Sequence, residues 1–182
     1  ISKFTFKKTM EKLNANEYNP FYQPYIDAVL AQNKNILELL DYAEKIAVDR
    51  LQYLTKSQQE FRYDEGKWSI KEILQHLIDA ERIFCYRALR FARFDKTDLA
   101  GFDENHYVAH SFCEAKDFDE LLAEFKVVRK CSKMLFKNFS ADILKNQGLA
   151  NGNNMSVRAI GYVIAGHQLH HLDVIKERYL GV

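Results

Sequence analysis

The sequence predicts an all-α protein, a four-helix bundle with a long crossover between helices two and three. Three observations predict it. Four long segments carry apolar residues at helical spacing, and the clearest of them open on capping signals. Only 7 Gly and 2 Pro interrupt 182 residues, so long helices can run unbroken. One connection, residues 95–116, is much longer than the others, as the crossover of a bundle is.

The elements follow in order. Ile1–Asn19 reads as irregular, with an alternating patch at Phe4-Thr5-Phe6 expected to lie across the domain surface. Pro24 is tolerated at a helix start and marks a short helix. The first long helix is expected from Asn35 to Leu54. Asn35 and Glu38 form a capping box, and Ile36, Leu39, Leu40, Ala43, Ile46, Ala47 and Leu51 its apolar stripe. The second, to Phe94, opens on Ser69 and Glu72 with Trp68 as a staple onto Ile73. Ile73, Leu77, Ala80, Ile83, Phe84 and Ala88 face inward. The third runs from Asp117, with Glu120 as capping partner, to Phe139. The fourth runs from Ser156 to Tyr179, with Gly181 just past its end.

Composition bounds the function. Hydrophobic residues at 47% and charged residues at 28% describe a globular chain and not a disordered one. The length suits a single domain over 1–182. A net charge of +1 gives no footprint for nucleic acid. No apolar run approaches the ~20 residues of a membrane span, and no signal-peptide core is visible. The chain opens at Ile1 and not Met, so upstream residues are expected. Cys85, Cys113 and Cys131 are odd in number, widely spaced and without a CxxC, which fits reduced thiols in the cytoplasm.

The segment Gly166-His167-Gln168-Leu169-His170-His171 carries the chemistry. His167 and His171 are four apart and stack on one helix face. Ile160, Val163, Ile164, Val174 and Ile175 make that face apolar, so it points into a core. Two buried imidazoles are costly without a partner, and a metal ion is the usual one at this spacing. His76 lies in the second turn of helix two on the face of Ile73 and Ala80. A lone inward histidine is more often a hydrogen-bonded core residue than a ligand. Three on neighbouring helices of one bundle favour a site for a divalent ion with open coordination positions.

Other candidates read as bland. His106 and His110 share the spacing but lie in the long connection with little apolar patterning, so a surface place is expected. His170 is rotated ~100° from His171 and flanks the site. Cys85 faces away from His76, Cys131 fits the core stripe of helix three, and Cys113 sits in a loop. Glu72 is accounted for by its capping role.

Four stretches carry a family resemblance. They are Asn19-Pro20-Phe21-Tyr22-Gln23-Pro24-Tyr25-Ile26, Trp68-Ser69-Ile70-Lys71-Glu72-Ile73-Leu74-Gln75-His76-Leu77, the loop Phe102-Asp103-Glu104-Asn105, and Gly166-His167-Gln168-Leu169-His170-His171. In this order they resemble the DinB/YfiT-like superfamily. The resemblance implies one DinB-like four-helix bundle with a divalent metal, zinc or nickel, held by His76, His167 and His171. It also implies a homodimer. Family members are described as metal-dependent hydrolases, or as transferases and isomerases that bind a low-molecular-weight thiol at the metal. It gives Asp103, Glu104 and Asn105 no role.

Three functions follow. With no H-E-x-x-H and no evident carboxylate base beside the triad, transfer of a small-molecule thiol leads, the metal holding it as thiolate. Hydrolysis by a metal-activated water is the alternative. A non-catalytic, stress-associated metal-binding bundle is the third.

Overall fold

The computed structural model describes residues 13–181. The Phe4-Thr5-Phe6 patch lies outside them. Two 3-10 turns, Ala15–Glu17 and Pro20–Tyr22, lead into α1 (Gln23–Leu30). Then come α2 (Ile36–Leu51), the single-turn α3 (Lys56–Glu60) and α4 (Ile70–Ala92). The long connection holds α5 (Glu104–Ala109) and a 3-10 turn, Cys113–Ala115. After it come α6 (Phe118–Lys137), α7 (Ala141–Leu144), strands β1 (Gln147–Ala150) and β2 (Asn153–Ser156), and α8 (Val157–Val174). A π-helical turn, Ile175–Leu180, extends α8.

The caps form as the sequence requires. Asn35 accepts from the Glu38 amide, Ser69 from the Glu72 amide, and Ser156 from the Ala159 amide. Asp117 accepts from the Asp119 and Glu120 amides. Each satisfies an N–H that the first helical turn leaves orphaned. Gly181, at φ 65°, takes the left-handed conformation that closes the last turn.

Helices α2, α8, α4 and α6 form a ring in that order. Each packs on its two neighbours, and α1 lies along α8. The long connection thus joins neighbours, α4 and α6. The chain steps across diagonals between α2 and α4 and between α6 and α8. The apolar core has two clusters. One gathers α1, the first half of α2, the second half of α4 and most of α8. The other gathers the start of α4, the start of α6 and Leu172 and Ile175. A polar layer of His76, Glu81, Arg129, His167 and Gln168, all buried, lies between them along α4, α6 and α8.

Two local expectations change. Before α8 the chain forms an antiparallel hairpin, pairing Gln147 with Ser156 and Ala150 with Asn153. Its loop is Asn151-Gly152, both at positive φ, which suits the twist of paired strands. Cys131 is exposed and does not belong to the core stripe of α6. The buried stripe runs through Leu122, Phe125, Arg129, Ser132 and Phe136. Cys131 is two residues, about 200° of helix rotation, from Arg129.

Candidate metal centre

Three helical positions converge on one point. His76 comes from the second turn of α4, and His167 and His171 from successive turns of α8. His167 Nε2 lies 3.0 Å from His76 Nε2 and 3.0 Å from His171 Nε2. The three ring nitrogens all fall within 4.8 Å of one another. A neutral imidazole nitrogen either donates one proton or accepts one. Three Nε2 atoms aimed together therefore cannot all be well satisfied by each other. Nitrogens at ~2.0–2.1 Å from a shared tetrahedral ion would stand about 3.3 Å apart, close to the spacing seen. The donor set fits a divalent ion, whose identity the geometry leaves open.

The surroundings keep the imidazoles neutral. Burial lowers the His76 pKa to about 4, against a small opposing pull from the Glu104 carboxylate. Burial, then the charges of His76 and His170, bring His171 to about 3. His167 is pushed well below the ordinary value by burial and by its three histidine neighbours. A neutral imidazole is the form that binds a metal.

Aromatic rings wall the triad. Trp68 stands 4.9 Å from the His76 ring, Tyr25 5.5 Å and Phe84 6.2 Å from the His167 ring. Tyr25 reaches this place because Gly166 lets α1 approach α8 closely. A Cβ at Gly166 would meet the Tyr25 carbonyl oxygen at 2.1 Å. The triad opens on a cavity of about 500 Å³ shared with Trp68, Phe84, Arg87, Phe102, Glu104 and the asparagines of the hairpin.

The profile of the DinB superfamily matches residues 39–175, three quarters of the chain. The chain belongs to the DinB superfamily. YfiT from Bacillus subtilis, described as a probable metal-dependent hydrolase with an unusual four-helix bundle topology, shares the DinB fold with it. The TM-score is 0.70 at 15% identity, over 94% of each chain. No curated protein matches the sequence.

Within this DinB fold the other sequence candidates are dispersed. His106 on α5 and His110 at its C-cap are both exposed, their rings 4.1 Å apart. His170 is exposed and leans on Tyr25, 5.2 Å away. The Cys85 thiol donates to Ser132 Oγ on α6, and burial pushes its pKa up to about 12. Cys113 is buried in its 3-10 turn. Glu72 accepts from the Ser69 amide at 2.6 Å and pairs with Arg62, so it is a cap and not a ligand.

Sequence reasoning missed one group. Glu104, the first residue of α5, lines the cavity, and its charge acts on His76. The hairpin explains how it arrives. Leu99 pairs with the strand end, donating to the Leu149 carbonyl and accepting from the Asn151 amide. The connection is thereby pinned beside the cavity just ahead of Asp103, which caps α5 through the His106 amide. The signal was the Phe102-Asp103-Glu104-Asn105 loop, but nothing local to it shows that it faces the triad.

Proposed function

We propose that this DinB protein is a metal-dependent hydrolase acting on a small molecule. The reading rests on Glu104, a carboxylate that shares one cavity with the three histidines. Such a carboxylate removes the main sequence ground for preferring thiol transfer, the lack of a base beside the triad. A divalent ion held by His76, His167 and His171, zinc or nickel, would supply the Lewis acidity that brings the pKa of a water toward ~7. In that setting Glu104 would take the proton from the attacking water and pass it to the leaving group. The triad, with His76 and His167 buried and His171 half-buried, stays neutral and keeps its lone pairs for the ion. The aromatic walls offer an apolar surface beside the triad for the apolar part of the substrate. The description of YfiT as a probable metal-dependent hydrolase points the same way. Three free cysteines fit a reducing, cytoplasmic setting.

The test is a screen of ester, amide and lactone substrates with and without chelator. Glu104→Gln should lower kcat by about 10²–10⁴ at unchanged metal content. Chelator-sensitive turnover that ignores this substitution would remove Glu104 from its role.

A second reading is transfer of a small-molecule thiol. Its support is the donor set itself: three neutral ligands inside an aromatic wall leave the ion's charge unbalanced, which favours an anionic thiolate. Chelator-sensitive consumption of an electrophile only when a thiol is added would select it.

A further inference from the structure

Three arginines are buried among the described residues: Arg87, Arg129 and Arg158. Two are answered by carboxylates. Arg129 pairs with Glu81 at 2.8 Å and Arg158 with Glu17 at 2.5 Å. Arg87, only 5% exposed, has no ion pair among the described residues. Its Nη2 donates to the Ala100 carbonyl at 3.0 Å, and its charge acts on the neighbouring Tyr22 phenol. Both neighbours are neutral, and the cavity's carboxylate, Glu104, shares the wall without forming an ion pair with Arg87. A buried cation without an ion-pair partner is costly, and the protein keeps this one on the wall of the cavity.

Its place relative to the histidines is set by one helix face. His76, Ala80, Phe84 and Arg87 form a stripe along α4, and all four line the cavity. Arg87 lies about three turns beyond His76. Phe84 fills the space between the two ends. Its ring centroid is 5.9 Å from Arg87 Cζ and 6.2 Å from the His167 ring. Along α4 the cavity thus has a nitrogen-ligand end, an aromatic middle and a cationic end, with the Glu104 carboxylate contributed by α5.

We infer that Arg87 is the seat for an anionic group of the substrate, a carboxylate or a phosphate monoester. The substrate then carries this anion at one end and presents its reacting group to the triad at the other, with an apolar span against Phe84. Guanidinium suits this role because its planar fork offers two parallel donors to either oxyanion. The inference names the substrate class for the proposed hydrolase and rests on that reading only for the chemistry at the far end.

The test reads binding alone, on chelator-treated protein, so that no anion can bind by ligating a metal and a failure of the hydrolase reading leaves it intact. The probes are 4-phenylbutyrate, phenyl phosphate and the neutral 4-phenylbutanamide. Affinity is followed by calorimetry and by the fluorescence of Trp68, the single tryptophan, which lines the same cavity. At least one anion should bind about tenfold or more tightly than the amide. Arg87→Gln should erase that preference, and Arg87→Lys should keep part of it. The tighter anion identifies the headgroup. Equal binding of amide and anions by the wild type needs no variant to fold and overturns the inference. So does saturation by none of the probes, or a preference that survives in a folded Arg87→Gln protein.

Discussion

Arg129 Nη2 is hydrogen-bonded to Gln168 Oε1 at 2.5 Å, and Gln168 is the residue that follows His167. The same guanidinium holds Glu81 of α4 through two bonds of 2.8 Å and the Leu40 carbonyl of α2 at 2.9 Å. Gln168 in turn donates to the Ala43 carbonyl. One fully buried side chain of α6 therefore touches all three of the other bundle helices. It fixes the rotation of α8, and so the direction in which His167 points.

Removing that side chain should be costly. Arg129→Met leaves the Glu81 carboxylate buried without its partner, and loss of one member of such a pair costs about 3–5 kcal/mol. The double variant Arg129→Met with Glu81→Met should recover much of this, because no unpaired charge remains. Denaturant unfolding of the two single variants and the double checks it. Additive losses would show that the pair is not coupled.

The triad should hold about one divalent ion per chain. His76→Ala, His167→Ala and His171→Ala should each lose it, while changes at His106 and His110 should leave stoichiometry intact. Elemental analysis of protein purified without an affinity tag reads the outcome. Metal should also raise the melting temperature, by about 2.7 kcal/mol of stabilisation when free ion is a hundred times its dissociation constant. Equal metal in wild type and triad variants would remove the site.

Gly166→Ala should displace α1 from α8. The added methyl would overlap the Tyr25 carbonyl, and overpacking of this kind costs about 1–3 kcal/mol. Tyr25 would leave the His167 ring, exposing the triad. Faster metal release, measured by transfer to a chromophoric chelator, is expected. A variant with unchanged stability and release rate would show that α1 adapts freely.

Acid should weaken the link between the first turn and α8. Burial raises the Glu17 pKa, but hydrogen bonds from Arg158, the Asn14 amide and Ser156 more than reverse this, leaving it at about 2 against an ordinary 4.5. The folded value is depressed, so the unfolded chain takes up the proton first. This contribution is complete above about pH 4.5 and is lost as pH falls toward 2. Thermal unfolding across that range should show a smaller acid slope for Glu17→Gln than for wild type. Identical slopes would assign the loss to other groups.

Much of the fold was written in local chemistry. Asn35, Ser69, Asp117 and Ser156 start their helices because a cap acts within one turn of itself. The stripes of α2 and α4 were readable because side chains repeat every 3.6 residues whatever they later pack against. The same periodicity put His167 and His171 on one inward face, with His76 on another. The hairpin also had a local signal, Asn151-Gly152, which a purely helical reading of the connection passed over.

Other features depended on which segments meet. Cys131 looked like core, but the rotation of α6 is set by Arg129 reaching Glu81, Leu40 and Gln168, and that turns Cys131 to solvent. Glu104 could not be assigned because only the pairing of Leu99 with the hairpin, some fifty residues later, carries α5 to the cavity. Arg87 resembles any helical arginine until its neighbours are known, and its lack of an ion-pair partner is a property of the packed cavity. Periodicity and caps act over one or two turns, so both were legible in the residues alone. Which charges are paired and which face the cavity emerges only from packing, because electrostatic partners are chosen by distance in space.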